Sequence, residues 1–179
     1  FNPPAAGIAL DGLARAWTHI ERATQSAANG IPDREARRQL MSASMQGAMA
    51  FQKGLGCVHS LSHSLGGINP MLHHGTLNAM FLPAVVTFNA AAESMQTERR
   101  LDRMAYAMGL GEGKGADIPA ALKDMNQRLG LPTGLAQMGV TTSQFESIVT
   151  HALLDHLPAY AAHAMGWRQS LLERDDLVV

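Results

Sequence analysis

Four of the eight histidines, His59, His63, His73 and His74, fall within one short stretch of the chain. Neutral imidazole is a good ligand for Zn, Fe, Ni or Cu, so a cluster of this kind supports a bound cation, with the element left open. His59 and His63 stand four residues apart, and on a helix that spacing puts both rings on one face, about one turn from each other. Gly66, Gly67 and Pro70 then let the chain reverse, so that His73 or His74 returns to the same site. One competing chemistry drops out. A zincin peptidase carries its general base directly after the first histidine, as His-Glu-x-x-His, and here Ser60 stands there. Spacing alone leaves a second reading open, in which these rings are hydrogen-bonded groups in a packed helical corner.

The elements that must position the rings read as helices throughout, because Ala, Leu, Met, Gln and Arg recur at helical spacing and period-2 alternation is hard to find. The fold class is therefore all-α, a helical bundle. Pro3-Pro4 opens a first helix over about residues 5–27, with Ile8, Leu13, Trp17 and Ile20 on one face, and Asn29-Gly30-Ile31-Pro32 ends it. Asp33 caps a second helix that runs to about Gln52. Its Met41, Met45 and Met49 could suggest soft-metal binding, but their spacing and apolar company predict core packing. A short helix over about 58–65 is broken by Gly66-Gly67, and the next starts near His74-Gly75 and runs toward Asn89. Further helices are expected over 97–108 and 117–129, the latter with Asp117 as N-cap. Ser143-Gln144-Phe145-Glu146 has the form of a capping box, leading into a helix that reaches Asp155 or beyond. Gly109 to Gly115 departs from both phosphate-binding loops: Lys114 replaces the third glycine of one, and Gly115 replaces the Ser or Thr of the other. That segment is read as a helix connector. Trp17 and Trp167 are expected to serve burial, His19 and His163 to be structural or surface groups, and His151 with Asp155 to be a solvated hydrogen-bonded pair.

Composition narrows the class. With 179 residues, 46% of them hydrophobic, the chain is long enough to form one domain over 1–179 and bury a core without disulfides or a structural metal. Lys and Arg number 14 against 15 Asp and Glu, with no basic block, so no nucleic-acid partner is expected. No window reaches the uninterrupted apolar length of a membrane span, and the single cysteine, Cys57, fits a reducing compartment. Cytoplasm is the expected location.

The residues around the histidines also carry a resemblance. Gly56-Cys57-Val58-His59-Ser60-Leu61-Ser62-His63-Ser64-Leu65-Gly66-Gly67, then His74-Gly75-Thr76-Leu77-Asn78-Ala79, Leu82-Pro83 and Asn89, resemble the metal-site signature of the iron-containing (group III) alcohol dehydrogenases. Asp33 to Gln52 resembles the helix before that signature, and Gly130-Leu131-Pro132 a later segment, so the likeness covers about residues 3–156. It implies a two-domain enzyme whose C-terminal, all-helical half holds the metal, with this chain matching that half alone. The implied ligands are His59 and His74, beside an Asp and a His one helical turn apart that would lie before Phe1. His63 matches the family's active-site histidine near nicotinamide and substrate, which does not ordinarily bind the metal.

The chain departs from the pattern in two places. Between Gly67 and His74 it is one residue longer than the commonest family spacing, leaving His73 as an alternative ligand, although Gly75, Asn78, Ala79 and Pro83 keep family register with His74. After His151 to His156 it continues as Leu157-Pro158-Ala159-Tyr160 instead of the usual Asn-Pro-Arg turn. Asp11 and His19 do not have the spacing to replace the missing ligand pair. The implied function is interconversion of a small-molecule alcohol with an aldehyde or ketone, using Fe(II), or Zn(II) or another divalent metal, and NAD or NADP. The N-terminal nucleotide-binding domain would be the chief partner, a homo-oligomer is a further expectation, and the 179-residue chain alone is expected to be inactive. Two rival readings are a non-catalytic helical assembly module and a metal-independent maleylacetate-type reductase.

Overall fold

A computed structural model describes residues 2–51 and 55–154 of the chain, with the side chain of Leu154 not described. It is helical as expected, and no strand occurs among the described residues. In chain order the helices are α1 (Pro3–Ala28), α2 (Arg34–Ala50), α3 (Cys57–Ile68), α4 (His74–Asn89), α5 (Glu93–Thr97), α6 (Arg100–Ala107), α7 (Ile118–Arg128) and α8 (Phe145–Leu154). Short 3₁₀ turns at Gly115–Asp117, Leu135–Met138 and Thr142–Gln144 lie in the connections. The chain divides into two compact units, one drawn from Phe1–Gly54 and Val86–Leu129, the other from Leu55–Val85 and Gly130–Val179.

The first unit is built on the α1–α2 hairpin. Asn2 caps α1, its side chain accepting from the Ala5 N–H at 3.2 Å, and the prolines occupy the first turn, where no N–H is needed. Asp33 caps α2 as anticipated, accepting from Ala36 N–H at 2.9 Å while it pairs with Arg22 at 2.6 Å. Asp11 meets both Arg15 and Gln46, and Arg15 reaches Gln39, so residue numbers fall along one helix as they rise along the other. Small residues let the two axes approach. A Cβ on Gly12 would lie 3.2 Å from the Gln46 Cβ, and Ala36 and Ala43 are buried. Arg128 on α7 forks onto Glu21 on α1 at 2.8–3.1 Å, and Ala105, Met108, Ile118 and Met125 fill the interior.

That packing overturns one expectation. Met41, Met45 and Met49 are 76%, 59% and 47% exposed rather than in the core. The apolar period on α2 was real, but the small Ala36 and Ala43 face α1, and the methionines lie round the opposite side of the helix. Local boundaries move as well. The helix expected over 97–108 begins only at Arg100, because Arg99 takes the left-handed conformation at φ 47° and separates it from α5, which ends at Thr97; the ion pairs Arg100–Glu98 and Arg99–Asp102 flank the break. Asp117 makes no side-chain cap bond, since it sits in a 3₁₀ turn that precedes α7. The capping box belongs to Thr141 and Gln144, two residues upstream of the expected start. Trp17 is half-buried, and Trp167, His156, His163 and Asp155 lie outside the described residues.

In the second unit α3 packs on α8, with Leu61, Leu65, Leu77, Phe81, Leu135, Val140, Ile148 and Val149 buried. Helix α3 runs through Gly66-Gly67 instead of breaking there. Neither glycine takes a positive φ, and the helix ends at Asn69, which is extended ahead of Pro70.

Two outcomes test this account. A Cβ on Gly115 would lie 2.7 Å from the Leu101 Cβ and 2.9 Å from the Asp102 backbone nitrogen, so Gly115→Ala should cost about 1–3 kcal/mol in urea unfolding. Hydrogen bonds from Ala36 N–H and from Arg22 hold the Asp33 carboxyl below its ordinary value of 3.8. Its contribution is therefore present above that pH and lost as pH falls through the lower folded value. Asp33→Ala should lower Tm at neutral pH, and the gap to wild type should close under strongly acidic conditions.

Candidate metal centre

Helix α3 carries His59 and His63 on one face, and their ring centroids are 5.8 Å apart. Reversal of the chain after α3 is a local hydrogen-bonding event. The Asn69 N–H donates to Leu65 O at 2.8 Å, its side-chain oxygen accepts from Met71 N–H at 3.1 Å, and its carbonyl accepts from Leu72 N–H at 3.1 Å. The chain then enters α4 at His73. The His73 carbonyl accepts from Leu77 N–H at 3.1 Å, and its ring Nδ1 accepts from Thr76 N–H at 3.4 Å, as an N-cap side chain does. Gly75 leaves room for that ring, since a Cβ there would lie 3.2 Å from the His73 Cε1.

With His73 occupied as a cap, His74 is the residue whose ring turns to α3. Its centroid lies 5.6 Å from that of His59 and 5.2 Å from that of His63, the latter pair stacked at 26°. Two imidazoles on one tetrahedral cation, with metal–nitrogen bonds of about 2.0–2.1 Å, put their ring centres roughly 5 Å apart. The spacing of His59 and His74 fits such a cation. His59 is half-buried, while His63 and His74 are exposed at the open side. Burial, then the neighbouring rings of His74 and His63, holds His59 below its ordinary imidazole value, which favours the neutral form a metal requires.

Two residues that the sequence reading did not single out as partners complete the surroundings. Ser62 Oγ lies 3.4 Å from His74 Nδ1, and Asn78 Nδ2 lies 3.1 Å from His74 Nε2. The Asn78 Oδ1 is buried without a partner. Helical spacing held a signal for both, Ser62 being three residues after His59 and Asn78 four after His74. Among the described residues no group of three or more His, Cys, Asp or Glu side chains is placed to hold a metal ion, so the three rings are not by themselves a complete site. The arrangement offers part of a coordination sphere, with an orphaned oxygen beside it.

The remaining histidines and carboxylates lie elsewhere. In the first unit His19 Nδ1 donates to Arg15 O, 2.9 Å away, and Asp11 is engaged by Arg15 and Gln46. His151 is exposed on α8. Cys57, two residues before His59, is partly exposed, and burial raises its thiol pKa. No helix among the described residues is long and apolar enough to cross a membrane.

The two candidate rings at the start of α4 make different predictions. His73→Ala should remove a helix cap, costing about 1 kcal/mol of stability, while Zn(II) still perturbs the His59 and His74 rings in NMR spectra. Loss of that perturbation in His73→Ala would transfer the ligand role to His73.

Comparison with known proteins gives the family. Residues 6–166 match the family model described as Fe-containing alcohol dehydrogenase family, C-terminal. The chain is 59% identical over 160 residues to a 4-hydroxybutyrate dehydrogenase of Cupriavidus necator, covering 87% of this chain and 40% of that protein. It is 34% identical over 134 residues to an NAD-dependent methanol dehydrogenase of Bacillus methanolicus, covering 73% of this chain and 35% of that one. An iron-containing alcohol dehydrogenase structure from Thermococcus thioreducens superposes with a TM-score of 0.77 at 23% identity, covering 97% of this chain and 45% of the other. The chain thus spans less than half the length of these relatives. From the family match and the shared fold, it belongs to the iron-containing alcohol dehydrogenase family and corresponds to the all-helical C-terminal part.

Proposed function

We infer that this chain is the metal-holding part of an NAD(P)-linked dehydrogenase that interconverts an alcohol and an aldehyde or ketone. The observation that carries this reading is the convergence of the His59, His63 and His74 rings within 5.2–5.8 Å of one another. His59 and His74 are the proposed ligands. They would hold a divalent cation such as Fe(II), which would supply Lewis-acid polarisation of an alcohol or carbonyl oxygen beside the nicotinamide. Two imidazoles leave the cation sphere incomplete, and the family's Asp and His pair would complete it from elsewhere in the intact enzyme.

His63 is assigned a different task. It is exposed beside His74 and one turn from His59, and its proposed task is to hydrogen-bond substrate or nicotinamide and to relay a proton. Leu61 and Leu65 on α3 and Leu77 on α4 are buried and anchor the two helices that carry the three rings. The likeness to a 4-hydroxybutyrate dehydrogenase supports a short hydroxy acid as substrate. Residues 55–85 and 130–154 contain no Lys or Arg, so a cation for such a carboxylate would have to come from another part of the enzyme.

Titration with Zn(II) or Fe(II) tests the ligand assignment. His59→Ala and His74→Ala should each weaken binding at least tenfold, and His63→Ala should leave affinity within a few fold of wild type. Equal losses at all three positions would make His63 a ligand, and no loss at His59 or His74 would remove the metal reading. The 179-residue chain alone should produce no NADH from an alcohol, and measurable turnover by it would contradict the division of labour proposed here.

A further inference from the structure

We propose that Ser62 is a positioning residue that fixes His74 as its Nδ1–H tautomer, so that the Nε2 lone pair is the one offered to a cation. The inference rests on the reading of His74 as a ligand. Ser62 lies on α3 between His59 and His63 and is 1% exposed, so its hydroxyl must find its partners within the protein. Its single proton goes to the His59 carbonyl, 3.1 Å away. The carbonyl is the nearer of the two neighbours, 3.1 Å against 3.4 Å for His74 Nδ1, and a proton donated there leaves Ser62 Oγ to accept from Nδ1–H. A neutral imidazole has one N–H, which leaves Nε2 with its lone pair.

Asn78 closes the network from the next turn of α4, its Nδ2 donating to His74 Nε2 at 3.1 Å. The opposite arrangement would turn the amide over and have His74 Nε2–H donate to Asn78 Oδ1. It would place the amide NH2 where Oδ1 now sits buried without a partner. Orphaned buried N–H groups are rarer in proteins than under-satisfied carbonyl oxygens, so the first network is favoured. One hydroxyl then links the α3 backbone at His59 to the ring on α4. A cation has only to displace the Asn78 amide from Nε2, and no proton has to change nitrogen.

Ligating histidines usually donate their second ring N–H to a protein acceptor, and loss of that acceptor typically costs 10–100-fold in metal affinity. Long-range proton–nitrogen NMR of the metal-free 179-residue chain, above about pH 7.5 where ordinary imidazoles are neutral, reads the tautomer directly. Wild type should show a protonated-type nitrogen at Nδ1 of His74 and an unprotonated one at Nε2. Ser62→Ala should move His74 toward a mixture and weaken Zn(II) binding about 10–100-fold, whereas Ser62→Thr, which keeps the hydroxyl, should retain the wild-type pattern. An Nε2–H form in wild type, or a Ser62→Ala spectrum identical to wild type, overturns the proposal. If Ser62→Ala does not fold, the wild-type and Ser62→Thr spectra decide it. Failure of Zn(II) to perturb His59 and His74 would remove the ligand reading, while the tautomer spectra would still judge Ser62.

Discussion

The His73 ring, turned back onto the Thr76 N–H in the first turn of α4, is the contact on which the histidine cluster depends. A helix start leaves unsatisfied donors, and something must accept from them. By taking that role His73 fixes where α4 begins, and the residue that follows is carried toward α3. Gly75 makes the arrangement sterically open, because a side chain there would press on the capping ring.

The second unit shows how a polar site coexists with an apolar core. Leu65 and Leu77 are fully buried, one from α3 and one from α4, and each belongs to an element that also carries an exposed histidine. Helical periodicity makes this division automatic, since residues a few positions apart can face opposite ways. Two of the buried serines on α3 find local partners, while the Ser60 hydroxyl has none. Ser64 donates to the Ser60 carbonyl at 2.8 Å, and Ser62 bridges His59 and His74. Half-burial of His59 acts on the chemistry too, by penalising the imidazolium that would compete with a metal.

The first unit uses another solution. Alanine and glycine line the α1–α2 contact, so the helices approach closely and the long side chains work at the margins, as in Arg15 with Asp11 and Arg128 with Glu21. Such exposed ion pairs contribute little stability individually, typically about 0–1 kcal/mol, and their effect is to fix register. The same use of small residues leaves Met41, Met45 and Met49 on the outer side of α2.

Helical class, the Asp33 cap and the shared face of His59 and His63 were all legible in the amino-acid order, because each depends on residues within about one turn of one another. Family likeness added His74 by register. Other features could not be read that way. Which side of α2 is covered depends on α1, so the methionine period pointed to a core that the packing placed elsewhere. Which of the His73 and His74 rings turns toward α3 depends on which one meets the helix start, and the pairing of Ser62 with His74 joins residues that only the turn at Asn69 to His73 brings together. Local order sets periodicity and caps, whereas the face that is buried and the partners that meet across helices are decided by packing of distant segments.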